Sequence, residues 1–249
     1  MIRQLVAKTL QKAANRIAPP PPLVDLIPEV EPWQAEIIAT SQRYSMTPPL
    51  AQWTLLGALT HIHRHRIPGD FVECGVWRGG NLILAGLVCK RLGMSKTIWG
   101  YDTYAGMTPP TDFDKKHRRS LNVKQKFARL QHDDHNDWCY ASLADVTDAF
   151  AREVGAACEF KPVKGPVQET LLQPPLPESI ALLRLDTDFY DSTKVELEVL
   201  YPRLVSGGLL IIDDYGAWAG AQKAVDEYFR AKPVWLQYVT HDVRLVVKP

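Results

Sequence analysis

The sequence predicts an α/β fold: a doubly wound, mostly parallel sheet of seven strands that ends in a C-terminal antiparallel hairpin. Three observations carry this. Short apolar runs alternate with helical segments from residue 70 onward. Most of those runs are apolar throughout rather than at every second position, as strands covered on both faces are. The last two, VWLQYV and DVRLVV, are separated only by Thr240 and His241, a hairpin spacing.

In order, FVECGV (71–76) is the first strand, followed by a glycine turn and the helical NLILAGLVCKRL. TIWGYD (97–102) is the second. A long polar segment, 103–137, reads as a lid insertion; it holds a basic run at 115–119, read as a solvated face, and HDDHND at 132–137. A helix near 141–154 and strands at 157–163 and 180–186 follow. Next come a helix at 193–204, the strand GGLLIID (207–213) and a helix at 219–231 before the hairpin. Upstream, residues 28–66 read as helical with breaks at Pro32 and Pro48–Pro49, so 1–66 is expected to be an arm and cap on a main domain, 67–249. His61, His63 and His65 do not share one helical face and read as a solvated helix end.

The chain has 249 residues, 46% apolar and 23% charged, enough for one large α/β core. A net charge of +1 gives no global field for nucleic acid. Cys74, Cys89, Cys139 and Cys158 are scattered with no C-x-x-C pair, which fits a reducing, cytoplasmic setting better than a disulfide framework. No window reaches the ~18 uncharged apolar residues of a membrane span. The basic N-terminus, with Ile2, Leu5, Val6 and Leu10 at helical spacing, reads as a packing arm or homo-oligomer contact leading into Pro19–Pro22; a transit peptide or membrane-surface helix is the alternative.

In such sheets ligands bind outside the carboxyl ends of the strands, where strand order reverses. The first strand ends in ECGVWRGGN, whose glycines at 75, 79 and 80 would let a ligand approach the backbone. It matches neither common phosphate-binding glycine motif, while Glu73 offers an acid for an ammonium. Asp102 ends the second strand, where an acid typically accepts from a ribose. A nucleoside bearing an amino acid answers this pattern, and S-adenosylmethionine has that composition.

Asp186 ends the fourth strand and Asp213–Asp214 the fifth, so all three are expected at one rim. Carboxylates so crowded repel one another unless a cation joins them. An all-oxygen set suits Mg²⁺. Asp188 is read either as a functional acid or, with Asp191, as the residue before a helix that Thr193-x-x-Glu196 would start with a capping box.

These residues resemble the macrocin O-methyltransferase family, class I methyltransferases with a Rossmann-like fold. The resemblance spans roughly residues 70–231 and is carried by FVECGVWRGGN, GYDTYAGM, VKGPVQETL, LLRLDTDFYDST, LYPRLVSGGLLIIDDYG and AQKAVDEYF. It implies S-adenosylmethionine bound along Glu73, Gly75, Val76, Asn81, Asp102, Thr103 and Ser142, with the adenine near Val167 and Gln168. It also implies Mg²⁺ held by Asp186, Asp213 and Asp214, and a sugar or glycoside with vicinal oxygens as acceptor. Related metal-dependent catechol methyltransferases place a lysine base just after the fourth strand. Here Phe189 and Asp191 stand in that neighbourhood, so the base falls to Asp188 or to a lid histidine, His132 or His135. The rival readings are a glycosyltransferase using D-x-D at 186–188 and a non-catalytic domain that binds S-adenosylmethionine as a sensor.

Overall fold

The computed structural model describes residues 23–118 and 120–249. The N-terminal amphipathic stretch with the oligomer contact expected there, the run Pro19–Pro22, and Arg119 lie outside the described residues. Two compact units are present, one ending at Glu36 and one running from Ile37 to Pro249. Helix α1 (Leu23–Leu26) belongs to the first.

The expected breaks at Pro32 and Pro48–Pro49 are helix starts. Helices α2 (Pro32–Gln42) and α3 (Pro49–His65) each open on a proline, whose missing N–H has no partner at that position anyway. Helix α3 ends at Arg66 in the left-handed region, and His61, His63 and His65 are exposed there.

The sheet contains β1 (Asp70–Cys74), β2 (Thr97–Asp102), β3 (Glu159–Lys164), β4 (Ile180–Leu185), β5 (Leu204–Ile212), β6 (Gln237–Tyr238) and β7 (Arg244–Val247), in the order β3-β2-β1-β4-β5-β7-β6. Strand β7 runs antiparallel to both β5 and β6, so a single strand opposes the other six. Its order reverses between the central pair β1 and β4, where Glu73 lies opposite Arg184 and Cys74 opposite Leu185. Position explains composition. Every residue of β4 is buried, whereas β3 at the edge is half exposed and carries Glu159, Lys161 and Pro162. Leu182, Leu183 and Leu185 of β4 contribute about 1.5–3 kcal/mol each through burial.

The remaining helices are α4 (Gly80–Leu92), α5 (Val123–Leu130), α6 (Leu143–Glu153), α7 (Val167–Thr170), α8 (Tyr190–Val199) and α9 (Ala219–Phe229). Helix α5 stands inside the expected lid, too short and polar to be read from sequence. The segment is pinned to the body. Trp138, Phe189 and Trp218 pack edge-on or tilted, with ring centroids 5.2–6.1 Å apart. Asp114, buried within the segment, accepts from the Tyr190 N–H at 2.8 Å.

That last contact corrects an expectation. The Thr193–Glu196 capping box does not form, because α8 starts three residues earlier, at Tyr190. Thr193 Oγ1 donates to the Phe189 carbonyl, and Glu196 Oε1 accepts from Thr187 Oγ1. The helix is capped from outside by Asp114.

Candidate active site

A cavity of about 230 Å³ opens at the carboxyl ends of β1, β2, β4 and β5. It is lined by Gly75, Val76, Asn81, Asp102, Thr103, Val167, Gln168, Asp186, Asp188, Asp213 and Asp214, nearly the whole expected set. Backbone pairing brings the acids together: the Asp186 N–H donates to the Cys74 carbonyl and the Asp213 N–H to the Leu185 carbonyl, both at 2.9 Å. One carboxylate oxygen from each of Asp186, Asp213 and Asp214 lies within 4.8 Å of the others. Asp188 faces the same space in the left-handed region (φ 68), and its N–H donates to Asp214 Oδ2 at 3.1 Å.

The residue that organises these acids is Arg184, which the sequence reading passed over. It is 1% exposed and reaches four oxygens: Glu73 Oε1 (2.6 Å), Asp186 Oδ2 (2.7 Å), Asp213 Oδ1 (2.6 Å) and Thr47 Oγ1 (3.1 Å). One guanidinium thus ties the end of β1 to the ends of β4 and β5. A planar fork can do this where an ammonium cannot. Arg184 is a cation among five carboxylates, counting Glu73, Asp186, Asp188, Asp213 and Asp214. Burial, and then mutual repulsion, push Asp214 well above the ordinary carboxylate range. Asp186 also rises through burial, with Arg184 opposing. The excess negative charge is what a further cation would relieve.

Glu73 differs from its expected place. It is absent from the cavity wall and lies beneath it, 1% exposed, where burial pushes its carboxyl up to about 7 against the pull of Arg184 and Asn81. Asn81 Nδ2 donates to it at 3.2 Å and to Thr47 Oγ1 at 3.0 Å. Gln52 Nε2 in turn donates to Ser41 Oγ and to Asn81 Oδ1, and Ser41 Oγ donates to the Gly80 carbonyl. This chain of buried polar contacts fastens residues 41–52 under the site, and Tyr44–Thr47 complete its wall. None of it was legible from spacing.

Two of the glycines also have a packing role. A Cβ on Gly75 (φ 84) would lie 2.0 Å from the Asp186 carbonyl oxygen, and one on Gly80 would lie 2.5 Å from Ser45 Cβ. Both serve close chain packing as well as lining the cavity. Asp102 is likewise engaged locally. Its Oδ2 accepts from the N–H groups of Val76 and Trp77 at 2.7 and 3.0 Å, and its Oδ1 from that of Tyr104 at 2.7 Å. Ser142 is not on the cavity wall; its hydroxyl caps α6 by accepting from the Asp145 N–H. His132 and His135 also lie off the wall and pair with Asp137 instead. Of the base candidates, Asp188 alone lines the cavity. The basic run 115–118 is mostly solvated, except that the Lys116 ammonium lies 3.8 Å over the Trp218 ring.

Strand order and cleft together define a Rossmann-like methyltransferase fold. The O-methyltransferase NovP superposes with a TM-score of 0.71 at 25% identity, covering 82% of each chain. Over residues 40–244 the sequence matches the model of the macrocin O-methyltransferase (TylF) family, and the chain belongs to that family. It is 35% identical over 166 residues to mycinamicin III 3''-O-methyltransferase of Micromonospora griseorubida, covering 66% of this chain and 62% of that one. It is 34% identical over 178 residues to demethyldecarbamoylnovobiocin O-methyltransferase of Streptomyces niveus, covering 68% and 60%. The match therefore spans about three-fifths of the length of these curated relatives. No described helix is long and apolar enough to cross a membrane.

Proposed function

We propose that this chain is an S-adenosylmethionine-dependent, Mg²⁺-assisted O-methyltransferase acting on a hydroxyl of a sugar or glycoside natural product. The observation that carries the reading is the convergence of Asp186, Asp213 and Asp214 on one cavity, with Asp188 beside them. The donor set fits the ion: it is all oxygen, it holds more negative charge than Arg184 neutralises, and it leaves room for acceptor oxygens. The cofactor fit rests on Gln168, whose buried Oε1 lacks a partner in the cavity wall, where an adenine amine would be recognised. S-adenosylmethionine would supply the methyl group, and the ion would hold and acidify the acceptor hydroxyl.

The chain's own residues then have distinct tasks. Arg184 holds Asp186 and Asp213 at fixed separation. Asp102 holds the Val76–Trp77 turn against the end of β2. Asp188 takes the acceptor's proton on its carboxylate, a role that suits a half-buried acid whose pKa burial raises. Positioning of the two reactants would contribute ~7–11 kcal/mol of the acceleration. The test is methyl transfer to sugar-bearing acceptors with and without EDTA, in wild type and Asp213→Ala. Loss of turnover on chelation, restored by Mg²⁺, and at least a ~100-fold loss in the variant are expected. Full activity in EDTA would remove the metal from the reading.

A further inference from the structure

The hexapeptide HDDHND is left unused by the chemistry above, yet it is one of two places among the described residues where ligating atoms converge. It forms the tip of a small hairpin closed by the bridge between Gln131 and Asn136, with the His132 N–H donating to the His135 carbonyl at 2.8 Å. The base of the hairpin is rigid. Asn136 is 1% exposed, its Nδ2 donates to the Phe127 carbonyl and to Gln131 Oε1, and its N–H donates to the Ala105 carbonyl at 2.7 Å.

On this frame the imidazoles of His132 and His135 stack at 4.7 Å and 11°. Each aims Nε2 at Asp137, at 3.0 Å for His132 and 3.2 Å for His135. Two donors on one tetrahedral ion at ~2.0–2.1 Å lie about 3.3 Å apart, close to both separations. His135 Nδ1 meets Asp134 Oδ1 at 2.7 Å. A carboxylate on the far nitrogen fixes the tautomer that leaves Nε2 free to ligate, the usual outer partner of a metal-bound histidine. His132 and Asp137 are half exposed, so an ion has a way in and a solvent molecule can complete the shell.

We infer that His132, His135 and Asp137 form a second divalent-cation site, separate from the acid triad. Two imidazoles and one carboxylate suit a Zn²⁺-class ion rather than Mg²⁺. The ion would fasten the hairpin directly before Trp138, which packs on Phe189 and Trp218, and Cys139, which lines the cavity. This inference does not depend on the methyl-transfer reading.

The test is Zn²⁺ titration by calorimetry at pH 7.5 on the full chain carrying Asp213→Asn, which disables the triad. Co²⁺ absorption reports coordination geometry, and hydrogen exchange over 131–139 reports the hairpin. One equivalent bound at micromolar affinity, a tetrahedral Co²⁺ spectrum, and at least a 30-fold weakening in His132→Ala/His135→Ala would support the site. His135→Asn alone, the gentler variant, should weaken binding at least tenfold while circular dichroism stays native. Absence of binding, or binding unchanged by the double substitution, would overturn it.

Discussion

Replacing Arg184 with methionine removes the charge and keeps much of the volume. Among the described residues Glu73 would then retain only Asn81 as a partner through Oε1, and nothing at all on Oε2. Leaving one member of a buried pair uncompensated costs about 3–5 kcal/mol. In a chain of this size each kcal/mol shifts Tm by roughly 2–4 °C, so a fall of roughly 6–20 °C is expected. The cost should depend on pH. With the guanidinium present, Glu73 is pushed up to about 7 by burial; without it the group rises further. An acid whose folded pKa lies above its unfolded one loses stability as pH rises between the two values. The variant loses it over a wider span, so the gap from wild type should be small at pH 6 and large at pH 8.5. Urea unfolding in EDTA, followed by circular dichroism at both pH values, measures this. Glu73→Gln combined with Arg184→Met should recover part of the loss at pH 8.5. A single variant as stable as wild type at pH 8.5, or a double variant with no recovery there, would refute the account of Arg184 as the counter-charge of Glu73.

Three further outcomes are expected. Gly75→Ala should cost at least about 3 kcal/mol and displace the Asp186 carbonyl, since its Cβ would sit 2.0 Å away at a φ of 84; denaturant midpoints and activity check both. Asp188→Asn should lower kcat by about 10²–10⁴ with cofactor affinity unchanged, and its pH–rate profile should lose the limb that reports the base. Glu196 is fully buried with no counter-ion among the described residues, and burial pushes its carboxyl up to about 8. Wild type should therefore lose on the order of a few kcal/mol as pH rises from about 5 to 8, and Glu196→Gln should flatten that slope in stability measured against pH.

The strands and the acids at their ends were legible because both depend on local pattern: an apolar run marks the strand, and the first charge after it marks the rim. Arg184 was harder, although LLRLD held the clue. A lone arginine inside a wholly apolar strand, two residues before an acid on the same face, is a charge with nowhere to go except toward that acid. The glycines read two ways for a physical reason. A residue that lets a ligand approach and one that lets a neighbouring strand approach carry the same letter. Asp102 lines the cavity, yet its backbone partners could not be foreseen, because they belong to a turn twenty-five residues earlier in sequence. The contacts among Ser41, Gln52 and Asn81 left no signal, since polar residues scattered along helices look solvated until the packing is known.

The outside cap on α8 has a consequence for altering acceptor choice. The helix that begins two residues after Asp188 relies on an oxygen from Asp114, on the stretch expected to act as a lid. Grafting that stretch from a relative would therefore do more than reshape the entrance. Unless the incoming loop brings its own acceptor for the Tyr190 amide, the graft would unsettle the first turn of the helix and, with it, the aim of the nearby acid. Under the proposed function, exchange of acceptor selectivity in this scaffold would be tied to reactivity through one hydrogen bond.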